Sequence, residues 1–219
     1  MKVATWNIER LKHIRQLAEI NRLCMRSEAD ILVLTEADER VAIDYPYQIA
    51  TPYLNSLLGV TFNPNERAVI LYSKYKLGVI YPPFCAFSSI AVELETEIGS
   101  FVLYGVIIGR FGNRHPDFMK DLRSLCNEID HIAQSGAALC ICGDFNLSFA
   151  DNYYFTKAGR ATLSDCFSRN NIHLITAGQT ECIDHIALSA SLIGNRTPSI
   201  VEWNEDKRLS DHKGIMATI

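Results

Sequence analysis

Asp144 and Asn146 stand just past an apolar run, Ala137 to Cys142, that ends at Gly143. The run is short and preceded by Ser135-Gly136, which fits a strand buried on both faces, and Gly143 is expected to allow a tight turn. In an extended segment residues two apart point the same way, so the carboxylate and the carboxamide would face one point beyond the strand end. A hard cation or a phosphate could occupy that point, because Asp supplies charged oxygen and Asn supplies either oxygen or N–H. The same kind of placement recurs. Asn7 and Glu9 follow a β-rich opening, Glu36 closes the run Ile31 to Leu34, Asp184 stands near the start of Ile183 to Ser189, and Asp211-His212 precede the last β-like segment. Each alone reads equally well as a turn former. Together, five such points at strand ends predict one sheet edge where sequence-distant polar groups converge. The prospective ligands are oxygen donors, which favours Mg2+ or Mn2+ over zinc.

The elements that must carry these residues can be sketched from periodicity. Apolar positions from Leu11 to Met25 recur at helical spacing, with Lys12, Arg15, Arg22 and Arg26 on the solvated face. The stretch from Tyr45 to Gly78, with Pro46, Pro52, Gly59 and Pro64, predicts short strands broken by loops, with Arg67 to Ser73 as a central strand. Ile90 to Glu97 alternates as an antiparallel strand with one wet face, and Ile98-Gly99-Ser100 turns into Phe101 to Ile108. Gly109 to Pro116 is a basic, glycine-rich loop. Asp117 then caps a helix whose stripe is Phe118, Leu122, Leu125, Ile129 and Ile132. Asp151 to Arg160 reads as a loop with a short helix shaping a rim. Ile200 to Trp203 and Ile215 to Ile219 are the last strands, and no repeat or linker divides the chain, so residues 1–219 are expected to form one domain.

A hydrophobic content of 48% in 219 residues is ample for a core and excludes disorder. With 21 Lys+Arg against 25 Asp+Glu, the formal charge of −4 provides no global nucleic-acid footprint and argues against tight non-specific duplex binding. A local groove lined by Arg67, Arg110, Arg114, Lys157 or Arg160 stays open. The seven cysteines lack paired metal spacings and read as small buried hydrophobes in a reducing compartment. No cleavable apolar leader and no membrane-length run is present, so a cytoplasmic protein without a membrane anchor is expected, and no protein partner is evident.

In order, Thr5-Trp6-Asn7-Ile8-Glu9, Leu32-Val33-Leu34-Thr35-Glu36, Gly143-Asp144-Phe145-Asn146, Ile183-Asp184-His185-Ile186 and Ser210-Asp211-His212 resemble the motifs of the endonuclease/exonuclease/phosphatase superfamily. The resemblance runs from residue 5 to residue 212. It implies the deoxyribonuclease-I-like fold, an α/β (α+β) four-layered sandwich of two mixed β-sheets flanked by helices. It also implies a divalent-metal-dependent phosphoester hydrolase, with a phosphodiesterase or nuclease acting on DNA or RNA as the leading reading. Hydrolysis of a lipid head group or small phosphoester, and a catalytically weak binding module keeping the fold, are the alternatives.

By the same resemblance, Glu36 with Glu9 and Asn7 would hold Mg2+ or Mn2+, and Asp211 would support the metal or His212. His212 would polarise or protonate the phosphoryl oxygen or serve as a base, with Asp184 fixing its tautomer. Asp144 would orient or deprotonate water, and Asn146 would donate to the phosphate. The division of labour between Asp144 and His212 stays open. Relatives usually present a histidine or tyrosine near the position of Ile107, and this chain has neither there. Either Arg110, Arg114 or His115 replaces that phosphate contact from the loop, or the contact is missing. Cys182 likewise stands where many relatives carry a basic residue.

Overall fold

The computed structural model describes residues 1–54 and 61–219, so Gly59 lies outside the described residues. The chain first lays down β1 (Lys2–Asn7), α1 (Leu17–Arg26), β2 (Ile31–Asp38), β3 (Tyr47–Ala50) and β4 (Glu66–Ser73). It then builds a second sheet from β5 (Leu77–Tyr81), β6 (Ser89–Thr96), β7 (Gly99–Ile107), α2 (Phe118–Gln134), β8 (Leu139–Asp144), α3 (Lys157–Arg169), β9 (Ile172–Leu174) and β10 (Asp184–Ser189). After α4 (Ala190–Ile193), β11 (Ser199–Trp203) and β12 (Gly214–Thr218) return to the first sheet. The strand orders are β11-β12-β1-β2-β4-β3 and β5-β6-β7-β8-β10-β9. Both sheets are mixed, because β1 runs parallel to β2 and β7 parallel to β8 while their other pairings are antiparallel.

Strand pleating sorts the core into layers. Val3, Val33, Val69 and Leu71 of the first sheet meet Val92, Leu103, Cys140 and Ile186 of the second in one buried cluster. Ile20 and Cys24 of α1 cover Ala4, Leu32 and Leu34 on the outer face of the first sheet. The α2 stripe Phe118, Leu122, Leu125, Ile129 and Ile132 covers Val102, Tyr104 and Ile141 on the outer face of the second. Each fully buried side chain of this kind contributes roughly 1.5–3 kcal/mol, so these stripes are what hold the helices down. The result is the four-layered, deoxyribonuclease-I-like sandwich.

Register brings the polar strand ends together. Asn7 pairs with Thr35, next to Glu36, and Asp184 pairs with Asp144 across β10 and β8. Several local expectations change. The helix anticipated over Leu11 to Met25 opens as two 3-10 turns, Glu9–Leu11 and Ile14–Gln16, because Glu9, Arg10 and Leu11 leave β1 with φ of 49°, 54° and 51°. Gly143 makes no turn. It sits inside β8 at φ 138°, where an added Cβ would lie 2.0 Å from the Val106 carbonyl oxygen. The alternation expected on β6 holds at Glu93 and Glu95, which are half-buried and exposed, but Ala91 on the same face packs into the outer cluster with Tyr81 and Phe84. Asp117 precedes α2 without a side-chain capping bond. The short rim helix is the 13-residue α3, capped by Thr156 Oγ1 accepting from the Gly159 N–H at 3.0 Å. The edge strands β5 and β9 are additional.

Candidate active site

Asn7 lies at the centre, fully buried at the end of β1. Its Nδ2 donates to Glu36 Oε1 at 3.2 Å and to Asp144 Oδ2 at 3.1 Å, while its backbone N–H donates to Asp184 Oδ1 at 3.0 Å. Only the NH2 end of a carboxamide can face two carboxylates. Its Oδ1 is accordingly turned away and accepts from the Glu9 N–H at 2.8 Å. Asn7 therefore ties three carboxylates together, and presents no oxygen to a cation in this arrangement.

Glu36 reaches the site through an unusual backbone. At φ 43° it interrupts the pleat, so that Leu32, Leu34 and Ala37 all pack in the same outer cluster. A non-glycine residue held there costs on the order of 1–3 kcal/mol. Burial raises the Glu36 pKa, opposed mainly by the Asn7 hydrogen bond.

Asp144 ends β8 and is 2% exposed. Its Oδ1 accepts from the Asn146 backbone N–H at 2.8 Å, and its Oδ2 takes the Asn7 amide and, at 3.4 Å, the Asn146 amide. Three of about four acceptor sites are thus filled. Burial pushes its pKa up to about 7, helped by Asp184 and Glu36 and opposed by His212. Asn146 does not continue the extended strand. Its φ of 51° folds it back over Asp144, and Nδ2 also donates to the Ile108 carbonyl at 3.0 Å.

His212 and Asp184 form a dyad, with His212 Nδ1 2.5 Å from Asp184 Oδ2. Burial alone would lower the His212 pKa, but the Asp184 charge and hydrogen bond outweigh it and push it up to about 10. The ring is an imidazolium at neutral pH, and Nε2, 3.7 Å from Asp211 Oδ1, is the nitrogen left for a ligand. The Ser210 hydroxyl holds this turn, donating to the Asn7 carbonyl at 2.6 Å and accepting from the His212 N–H at 3.1 Å. Asn204 Nδ2 adds bonds to the Ser210 and His212 carbonyls at 2.9 and 2.7 Å.

Glu36, Asp144, Asn146, Asp184, Asp211 and His212 all line one cleft of about 440 Å3. Glu9 does not. Its carboxylate binds Lys12 Nζ at 2.5 Å and accepts from the Asp211 N–H at 3.3 Å, which makes it a brace for the Asp211 turn. Of the basic loop, Arg110 reaches the cleft wall, while Arg114 is exposed and His115 stacks on Phe111 with Nδ1 3.6 Å from Asp117. Arg110 Nε is buried with no hydrogen-bond partner among the described residues, and Nη2 reaches Cys85 Sγ at 3.9 Å. Arg67 is taken by Glu39 and the Tyr53 ring, and Arg160 by the Ser148 and Asp151 carbonyls.

Residues beyond the sequence candidates complete the walls. Asn113 anchors the loop, donating Nδ2 to the Asn146 carbonyl at 2.8 Å and its N–H to Tyr154 Oη at 3.3 Å. Asn113 itself is buried behind the cleft, and Phe111, Tyr153 and Lys213 line it. The only sequence signal for Asn113 is an amide in a glycine-rich loop, which any solvated connection would share.

Among the described residues no three His, Cys, Asp or Glu side chains are grouped as a cation cage. The donor chemistry nevertheless suits a hard divalent ion. Glu36 and Asp211 face the cleft with oxygen, and Glu36 carries a charge that burial disfavours and a cation would compensate. Magnesium is commonly held by one or two carboxylates plus water and substrate oxygens.

Known proteins share the fold. No curated protein matches the sequence. Among solved structures, a mutant 3′ phosphatase NExo from Neisseria bound to a product DNA hairpin is 16% identical, with a TM-score of 0.71 and 100% and 99% of the two chains covered. An AP endonuclease from Archaeoglobus fulgidus is 12% identical at TM-score 0.69, covering 100% and 99%. A mutant beta toxin from Staphylococcus aureus with bound magnesium ions is 15% identical at TM-score 0.63, covering 99% and 98%. The model of the Endonuclease/Exonuclease/phosphatase family matches residues 4–212, and the chain belongs to that family of phosphoester hydrolases.

Proposed function

We propose that the protein is a divalent-cation-dependent phosphodiesterase acting on nucleic acid. The observation that carries this reading is the Asp184–His212 pair lining one cleft with Asp144 and Glu36, which Asn7 bridges from beneath. Glu36 and Asp211 would hold Mg2+ or Mn2+, with Asn7 and Glu9 bracing them. The ion would neutralise phosphate oxygens and charge developing on the leaving group.

The chain's own groups divide the proton chemistry. Asp144, with a pKa raised to about 7 and an acceptor site left over, takes a proton from the attacking water. His212, kept cationic by Asp184, donates Nε2–H to a non-bridging phosphoryl oxygen. Asn146 fixes the Asp144 carboxylate from both its backbone and its amide, which makes it a positioning residue. Arg110, a guanidinium with no ion pair among the described residues, supplies the phosphate contact that Ile107 cannot. A nucleic-acid substrate is favoured by the relatives whose names carry DNA or an endonuclease activity and by the aromatic rims Phe111 and Tyr153, 61% and 48% exposed. Among the described residues no helix is long and apolar enough to cross a membrane.

The test is hydrolysis with Mg2+ or Mn2+ of single-stranded, duplex and abasic-site DNA, RNA, phosphoinositides and a bis-aryl phosphodiester. Asp144→Ala and His212→Ala are each expected to lower kcat/KM by at least about a hundredfold, the scale of a lost acid or base, with the circular dichroism spectrum retained. Unchanged turnover in both variants removes the assignment.

A further inference from the structure

A second cavity of about 200 Å3 opens beside the cleft and shares Glu36, Arg110 and Phe111 with it. Whatever enters it is therefore continuous with a group bound at Glu36. Its floor is dry: Leu54, Ala68 and Ile107 are 5%, 2% and 4% exposed, and none of the three side chains carries a polar atom. Its mouth is aromatic. Phe111 is 61% exposed at one side, and Phe62 lies at the other with the Arg10 guanidinium 4.9 Å over its ring. Arg10 is neutralised by the buried Glu66 at 3.0 Å, so it offers a flat stacking surface and little free charge.

We propose that this cavity receives one unpaired nucleobase, from a nucleotide directly flanking the scissile phosphate. The inference rests on the nucleic-acid reading above and adds to it a specificity subsite and a preference for unpaired strands. A base is a flat apolar body with a polar edge, which suits a dry, ring-lined slot with two guanidinium groups at its margin. An acyl chain would need a longer apolar groove, and an abasic sugar would leave the slot empty. Arg110 sits at the junction, where the N–H edge of the guanidinium can meet the phosphate and its face the base. A base stacked inside a duplex cannot enter without unstacking, which costs a few kcal/mol, so single strands and frayed ends are the better substrates.

The decisive measurement uses the full-length protein with Mg2+ and a single-stranded oligonucleotide carrying one tetrahydrofuran residue, compared with the same oligonucleotide bearing a base there. Cleavage positions are mapped for the wild type, Phe111→Ala and Phe111→Trp. Loss of the base is expected to slow wild-type cleavage roughly tenfold at one of the two flanking phosphates, on the scale of one base–aromatic stack. Phe111→Ala cleaves the base-bearing oligonucleotide more slowly and shows little further loss with tetrahydrofuran, while Phe111→Trp restores the contrast. Equal or faster wild-type cleavage beside the tetrahydrofuran overturns the subsite while leaving the nuclease reading intact. Absence of cleavage of every oligonucleotide overturns the nuclease reading and the subsite with it.

Discussion

At the scale of single residues, the roles separate by what each neighbour does to a proton. His212 and Asp144 are both buried, yet burial acts on opposite charges, and Asp184 raises the pKa of both. The His212–Asp184 pair stabilises the fold fully below the unfolded histidine pKa of about 6.5. That contribution is lost as pH rises from there to about 10, the pKa His212 has in the folded protein. Asp184→Asn removes the charge that outweighs burial, so the His212 ring should titrate well below its wild-type value. The expected outcome is a lower rate together with an alkaline limb moved towards neutral pH, read from the kcat/KM profile and from an NMR titration of the ring. A fall in rate with an unmoved limb would assign Asp184 a purely structural role. The identity of these residues was legible in the sequence, because each stands at the end of a β-like run. Their orientation was not. Asn7 was expected to help hold a metal, and only the carboxylates of Glu36 and Asp144, contributed by β2 and β8, turn its NH2 inward.

At the scale of elements, the site depends on how closely β7 and β8 approach. Gly143 faces Val106 in the parallel ladder at φ 138°, and a methyl group there would meet the Val106 carbonyl oxygen at 2.0 Å. Gly143→Ala should therefore cost roughly 3–5 kcal/mol, the sum of backbone strain and overpacking, visible as a lowered urea midpoint. A midpoint within experimental error of wild type would show that the ladder can relax around the added methyl. The periodicity of β1, β2, β4, β8, β10 and α2 is plain in the sequence, since each has one or two fully buried faces. Elements whose form is set by their surroundings were less visible. The left-handed turns at Glu36 and Asn146 arise from tertiary bonds, and α3 hides behind a polar sequence whose Gly159 is needed for close packing on Leu147 and Phe118. The three-residue β9 exists because β10 offers it an edge.

At the scale of the whole molecule, the formal charge is −4, and two of the four arginines that the sequence offers to a phosphate groove, Arg67 and Arg160, are held by other protein groups, as is Arg10. Arg10 binds Glu66, Arg67 binds Glu39, and Arg160 binds backbone carbonyls behind the rim. Besides the His212 imidazolium, whose charge is matched by Asp184, Arg110 and Lys213 are the cations lining the cleft among the described residues, and Lys213 already shares Glu202 at 3.4 Å. Binding of a single strand should then neutralise one or two phosphates. Counterion release gives about −0.7 per phosphate for single strands, so a plot of log(1/KM) against log salt at fixed Mg2+ should have a slope between about −0.7 and −1.4. Arg110→Gln should flatten that slope by about 0.7, while Arg114→Gln, which alters a residue exposed outside the cleft, should leave it unchanged. A slope several times steeper in the wild type would mean that the strand follows a basic track outside the cleft. The shallow slope follows from the same economy that shapes the site. A protein with a net negative charge can meet a polyanion only through a few local cations and the faces of its bases.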